Sequence, residues 1–218
     1  MNEAEARSEI VRIGLSLFER GYAHATAGNI SVRLDDGFLI TPTDACLGFL
    51  EPARLAKVDA SGAQLGGDPA SKTLALHRSI YAADSDAHCV IHTHSTHLVA
   101  LSLIGVWRAE SILPPVTPYF VMKVGHVPLI PYHRPGAPEL GPLVAAAIEE
   151  NRGHGRHLRA VMLDRLGPNV WHASPAAAMA TLEELEETAK LWLLANGQAR
   201  SLTETQLDAL QQAFGTPW

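Results

Sequence analysis

The stretch Ile30-Ser-Val-Arg-Leu-Asp-Asp-Gly-Phe-Leu-Ile-Thr41 sets two short apolar runs, Ile30–Leu34 and Phe38–Thr41, on either side of Asp35-Asp36-Gly37. Alternating runs joined by Asp-Gly predict an antiparallel β-hairpin. Upstream, residues 4–20 carry Ile10, Ile13 and Leu17 at helical spacing, and Gly21 stands where a C-terminal cap belongs. Downstream, Pro52–Leu55 predicts a helical turn and Ala56–Asp59 a further strand. Ser71 is placed to cap a helix running to Ala83. Cys89–Thr93 reads as a strand buried on both sides, followed by a helix over 95–104. Residues 105–139, rich in Pro and Gly, predict loops around short strands such as Val127–Pro131. A helix over 140–150, a strand over 160–163, a long helix over 175–195 and a final helix over 203–214 complete the chain. Thr203 and Gln206 form a candidate capping box for the last of these. Hairpins first and helix–strand alternation later predict a three-layer α/β/α fold with a largely antiparallel sheet. All 218 residues are expected to form one domain.

Composition narrows the function classes. Lys and Arg number 17 against 23 Asp and Glu, giving a net charge of −6 with no basic run, so a nucleic-acid footprint is not expected. Cys46 and Cys89 are too few for a disulfide framework. The N-terminal MNEAEARSEI has no apolar signal core, and no apolar run approaches a membrane span, so a soluble cytoplasmic protein is expected. Histidine is the outlier, with 11 in the chain and four between His88 and His97.

The strongest chemical signal is His92-Thr93-His94 at the end of the buried strand. On a strand, positions 92 and 94 share a face and can offer two imidazole nitrogens to one divalent ion. His97 is near enough in sequence to add a ligand or to orient one. A third ligand could come from His77, His126, His133, His154, His157 or His172, and spacing does not choose among them. Thr26-Ala-Gly-Asn-Ile-Ser31, read as a phosphate cradle, competes with an ordinary Gly-Asn turn. Pro69-Ala-Ser-Lys72 opens a helix whose free N–H groups suit an anion. Lys72 in a first helical turn opposes the helix dipole, which points to a chemical role beyond helix support. Glu183-Glu-Leu-Glu-Glu187 reads as the solvated face of a helix that buries Leu182, Leu185, Ala189 and Leu193.

Together, Gly28-Asn-Ile-Ser-Val-Arg33, Ile40-Thr-Pro-Thr43, Ser71-Lys72, His77, His92-Thr-His94 and Glu183-Glu-Leu-Glu186 resemble the class II aldolase/adducin superfamily, in order along almost the whole chain. The resemblance implies a homotetramer of α/β/α protomers, a zinc ion held by three histidines including His92 and His94, and a substrate phosphate on Gly28, Asn29, Thr43 and Ser71. Sugar-phosphate aldolases of the family carry a catalytic Glu where this chain has Lys72. Thr43-Asp-Ala-Cys-Leu-Gly48 and Ser71-Lys-Thr-Leu74 are similar to the branch that decarboxylates 3-oxo-tetronate 4-phosphate to dihydroxyacetone phosphate. The resemblance gives Lys72 a catalytic role and aligns Tyr119 with an aldolase tyrosine that reaches a neighbouring subunit's site. It also places Leu166, followed by Gly167-Pro168, at the position of the third zinc histidine. His97, Asp164, His154 or a partner-chain group would have to substitute. Two alternatives therefore stand beside the decarboxylase: an aldolase-type enzyme for another sugar phosphate, and a metal-free adducin-like module.

Overall fold

In the computed structural model, which describes residues 1–216 and 218, a capping box between Asn2 and Glu5 starts α1 (Glu3–Glu19). This helix buries Ala6, Ile10, Ile13 and Leu17 and ends ahead of Gly21. The hairpin forms as β1 (Asn29–Leu34) and β2 (Gly37–Ile40), with Val32 opposite Leu39. After a 3-10 turn at Pro52–Arg54 come β3 (Ala56–Asp59), β4 (Gln64–Gly66) and α2 (Leu74–Ala83). The chain continues through β5 (Cys89–His92), α3 (Thr96–Ile104), α4 (Pro118–Lys123) and β6 (Leu129–Ile130). It finishes with α5 (Leu140–Gly153), β7 (Ala160–Leu163), β8 (Gly167–His172), α6 (Pro175–Leu194) and α7 (Glu204–Phe214).

The eight strands form one sheet in the order β4-β3-β2-β1-β5-β8-β7-β6, and every neighbouring pair is antiparallel except β6 with β7. Strand side chains alternate between two cores, as the two-residue period of a strand requires. On one face Ile30, Val32, Ile91, Met162 and Val170 meet α1, α3, α4 and α6. On the other Val90, Val161, Leu163 and Trp171 meet α2 and α5. The expected three-layer α/β/α fold with a largely antiparallel sheet is the one observed.

Several local expectations are corrected. Helix α2 begins at Leu74 because the Ser71 hydroxyl engages Thr73 (Oγ–Oγ1 3.0 Å) in a tight turn. Lys72 therefore precedes the helix, and the dipole argument does not apply to it. Strand β5 stops at His92, leaving His94 in the loop before α3. Strand β8 and helix α4 were both hidden by turn-like composition, Gly167-Pro168-Asn169 in one and Pro114-Pro115 with Pro118 in the other. Glu186 is 3% exposed, not solvated. Its carboxylate accepts from the amides of His97 (2.8 Å) and Leu98 (3.1 Å) and so caps α3 from across the core.

Candidate active site

One end of the sheet, where β5 and β7 finish and β1 and β8 begin, gathers most of the residues singled out in the sequence. Gly28 and Gly167 press on the His92-Thr93-His94 segment from either side. Gly28 has φ +92°, and a Cβ there would lie 2.9 Å from the His92 carbonyl oxygen. Gly167 has φ +119°, and a Cβ would lie 2.1 Å from the Thr93 oxygen. Only glycine meets both the dihedral and the approach. Fully buried Thr93 is locked between them.

His92 and His94 have ring centroids 5.0 Å apart at 70°. Nδ1 of His92 is hydrogen-bonded to the Pro168 carbonyl at 2.9 Å, which orients the ring and leaves Nε2 for another partner. Burial, and then the nearby His94, push the His92 pKa down to about 4. Burial, and then His24, lower that of His94. Both rings are consequently neutral at pH 7, the form that ligates metals. Two imidazoles sharing one ion at about 2.0–2.1 Å have centroids roughly 5 Å apart, so the pair fits a divalent ion.

Behind His92 lies a polar layer on the α2 face of the sheet. Asn29 and Asn169 are the strand neighbours of His92, and the side chains of Ser31, Tyr81 and His77 join through hydrogen bonds of 2.7 Å (Ser31–His77) and 2.8 Å (Ser31–Tyr81). Asn29 Oδ1, His77 Nε2 and both amide atoms of Asn169 are buried without a protein partner among the described residues. Polar atoms buried in this way are satisfied by water or ligand. Burial, and then His92, hold the His77 pKa down at about 3.

The anion-binding candidates share this end. Thr43 and Ser71 are laced together by Thr43 N to Pro69 O (2.8 Å), Ser71 N to Thr41 O (3.2 Å) and a bridge between Pro42 and Ala70. Thr41 in turn pairs with Ile30, which brings this turn to the start of β1 beside Gly28 and Asn29. Lys72 is exposed next to Ser71 and carries no hydrogen bond or ion pair among the described residues. It faces the 136–142 segment across a cavity of about 180 Å³.

The remaining candidates lie elsewhere or are engaged. His97 Nδ1 is bound to Glu186 at 2.8 Å. Leu166 occupies the β7–β8 turn directly before Gly167 and packs on the α2–α5 core, beside an exposed Arg165 at φ +63°. It cannot ligate a metal. Tyr119, 62% exposed, lines a cavity of about 810 Å³ together with His172, at the opposite end of β8. Asp84, Asp86 and His157 bring possible ligand atoms within 4.8 Å of one another, also at that far end. Asp84 is occupied there by Trp171 Nε1 (2.9 Å) and the Asp86 amide (3.0 Å). Sequence reasoning missed His24, whose ring lies 6.4 Å from that of His94, because no spacing rule joins residues 70 positions apart. Asn169 was missed together with its strand.

Comparison with known proteins follows the same outline. The model of the class II aldolase and adducin N-terminal domain matches residues 8–193. A 3-oxo-tetronate 4-phosphate decarboxylase of Cupriavidus necator is 54% identical over 221 residues, covering 99% of both chains. An L-fuculose phosphate aldolase of Haemophilus influenzae is 33% identical over 70% of this chain and 68% of its own. The crystal structure of YgbL from Escherichia coli superposes with a TM-score of 0.85 at 40% identity, over 96% of this chain and 99% of that one.

Proposed function

Because the chain belongs to the class II aldolase and adducin N-terminal domain family, we propose that it is a carbon–carbon lyase. Its substrate on this reading is 3-oxo-tetronate 4-phosphate, and its products are dihydroxyacetone phosphate and CO2. The observation that carries the reading is the pair of neutral imidazoles 5.0 Å apart at one end of the sheet, with the Thr43–Ser71 turn joined to the start of β1 beside them. Lys72, next in sequence to Ser71, makes no hydrogen bond or ion pair among the described residues. The 54% identity to the Cupriavidus decarboxylase along the whole chain supports the choice of reaction.

The chemistry suits what is present and what is missing. In a 3-oxo acid the C1–C2 bond breaks as CO2 leaves, and its electron pair moves toward the 3-oxo oxygen. No carboxylate is needed to take a proton from carbon, consistent with Lys72 where the aldolases have Glu. A proton must then be delivered to C2, and the Lys72 ammonium is the donor. Gly28, Asn29, Thr43 and Ser71 hold the phosphate through backbone and side-chain donors, while Ala70 offers no hydroxyl. His92 and His94 would hold a divalent metal, zinc by family analogy. Lewis-acid polarisation of the 3-oxo oxygen is the chemistry such an ion supplies when bound. His92 is aimed by the Pro168 carbonyl, and His24 is the nearest further imidazole to His94.

Tyr119 lies at the far end of its own protomer, so a role in catalysis requires it to reach a neighbour's site, within the homotetramer we propose. The experiment is steady-state kinetics of Lys72→Ala with 3-oxo-tetronate 4-phosphate. A loss of about 100-fold or more in kcat with an unchanged circular dichroism spectrum is expected. Wild-type turnover would remove Lys72 from the mechanism. Leu166 at a ligand position favours a second reading, a metal-free module of the same fold. Metal content per protomer separates the two, with about one divalent ion expected for the enzyme.

A further inference from the structure

The cavity of about 810 Å³ at the far end of β7 and β8 lies at the opposite end of the protomer from its histidine pair. Its size is that of a small-molecule pocket. Lys123, Arg156 and Arg159 line it, and among the described residues none of the three has an ion-pair partner, although acids outnumber bases in the chain. Arg159 Nη1, His126 Nε2 and Thr216 Oγ1 are buried without a hydrogen-bond partner among the described residues. Donors left unpaired away from water cost free energy, and cations facing one another add repulsion. That repulsion registers on the neighbouring imidazoles: burial and then Arg156 depress the pKa of His126, while burial followed by Arg159 does so for His172.

One carboxylate, Glu184, also lines the cleft; it accepts from Thr188 (3.4 Å) and Thr117 (3.5 Å) and makes no ion pair with the three cations among the described residues. Asp84 accepts from Trp171 Nε1, and neither it nor Asp86 pairs with the three cations among the described residues. Behind the lining residue His126, the Trp218 ring stacks with its centroid 4.3 Å away. Three cations on one cleft with no ion-pair partner among the described residues, together with buried unpaired polar atoms, are the features of a pocket for an anion.

We propose that this cleft is a second anion-binding site, separate from the His92–His94 end of the protomer, which takes a phosphomonoester or inorganic phosphate on Lys123, Arg156 and Arg159. The proposal is independent of the reaction assigned to the other end.

The test follows the imidazole resonances of His126, His157 and His172 by NMR as the full-length protein is titrated with inorganic phosphate and, separately, with glycerol 3-phosphate. Saturable shifts at all three histidines are expected. Arg156→Gln with Arg159→Gln should weaken the affinity at least about ten-fold, while Ser71→Ala at the other end should leave it unchanged. Lys123→Gln, at an exposed position, repeats the test should the arginine variant fold poorly, with weakening expected again. Tighter binding of glycerol 3-phosphate identifies an organic ester as the ligand, and equal binding identifies free phosphate. The proposal is overturned if neither titrant moves these resonances at millimolar concentration. It is equally overturned if Ser71→Ala abolishes the shifts, because the cleft would then belong to a neighbouring protomer's substrate site.

Discussion

Gly167 illustrates how much of the site is decided by single residues. With φ +119° and no room for a Cβ against the Thr93 oxygen, Gly167→Ala is expected to cost about 2–4 kcal/mol and to loosen His94. Gly153→Ala, where nothing lies within 4 Å, should stay within about 1 kcal/mol, and urea unfolding compares the two. His126 makes a pH prediction. Its folded pKa of about 4 lies below the ordinary imidazole value of 6.5, so the unfolded chain takes up the proton first as pH falls. Stability contributed by this group is complete above pH 6.5 and lost between there and about 4. His126→Gln should flatten the loss of stability in that window and leave the curve above pH 7 parallel to wild type; identical slopes would contradict the assignment. The histidine pair was legible because both residues sit together in sequence. The neighbours that complete its setting, His24 and Asn169, were not, since folding alone brings them near.

At the scale of elements, Glu186 links two helices that no local pattern connects. Its carboxylate serves two amides at the start of α3 and the His97 ring, so Glu186→Ala leaves buried donors unpaired. A loss of about 2–4 kcal/mol is expected by chemical denaturation, with Glu186→Gln milder because one acceptor oxygen survives. The glutamate run around it reads as solvated in sequence because four of its five residues are acidic; only the packing of α6 on α3 shows which one turns inward. The hairpin of β1 and β2, α1 and α6 were legible from period and capping. Strand β8 was not, because Pro168 and Asn169 are poor strand formers; in the fold the proline carbonyl orients the His92 ring and the asparagine lies beside it. Pairing with β5 and β7 overrides local propensity at that strand.

Across the molecule, two cores on either side of one sheet leave the strand ends for chemistry. One end carries the histidine pair and the Thr43–Ser71 turn, the other the cationic cleft, and β8 runs between them from Gly167 to His172. No described helix is long and apolar enough to cross a membrane. The three-layer architecture was legible because alternating strands and amphipathic helices admit few arrangements; which residues gather at which end of the sheet was not, because it depends on strand direction. The most direct test of the account is product analysis with 3-oxo-tetronate 4-phosphate and metal-replete wild-type protein. One CO2 and one dihydroxyacetone phosphate per substrate consumed, both lost in His92→Ala, is the predicted result. Absence of CO2 release from the metal-replete wild-type protein, or release undiminished in His92→Ala, would contradict it.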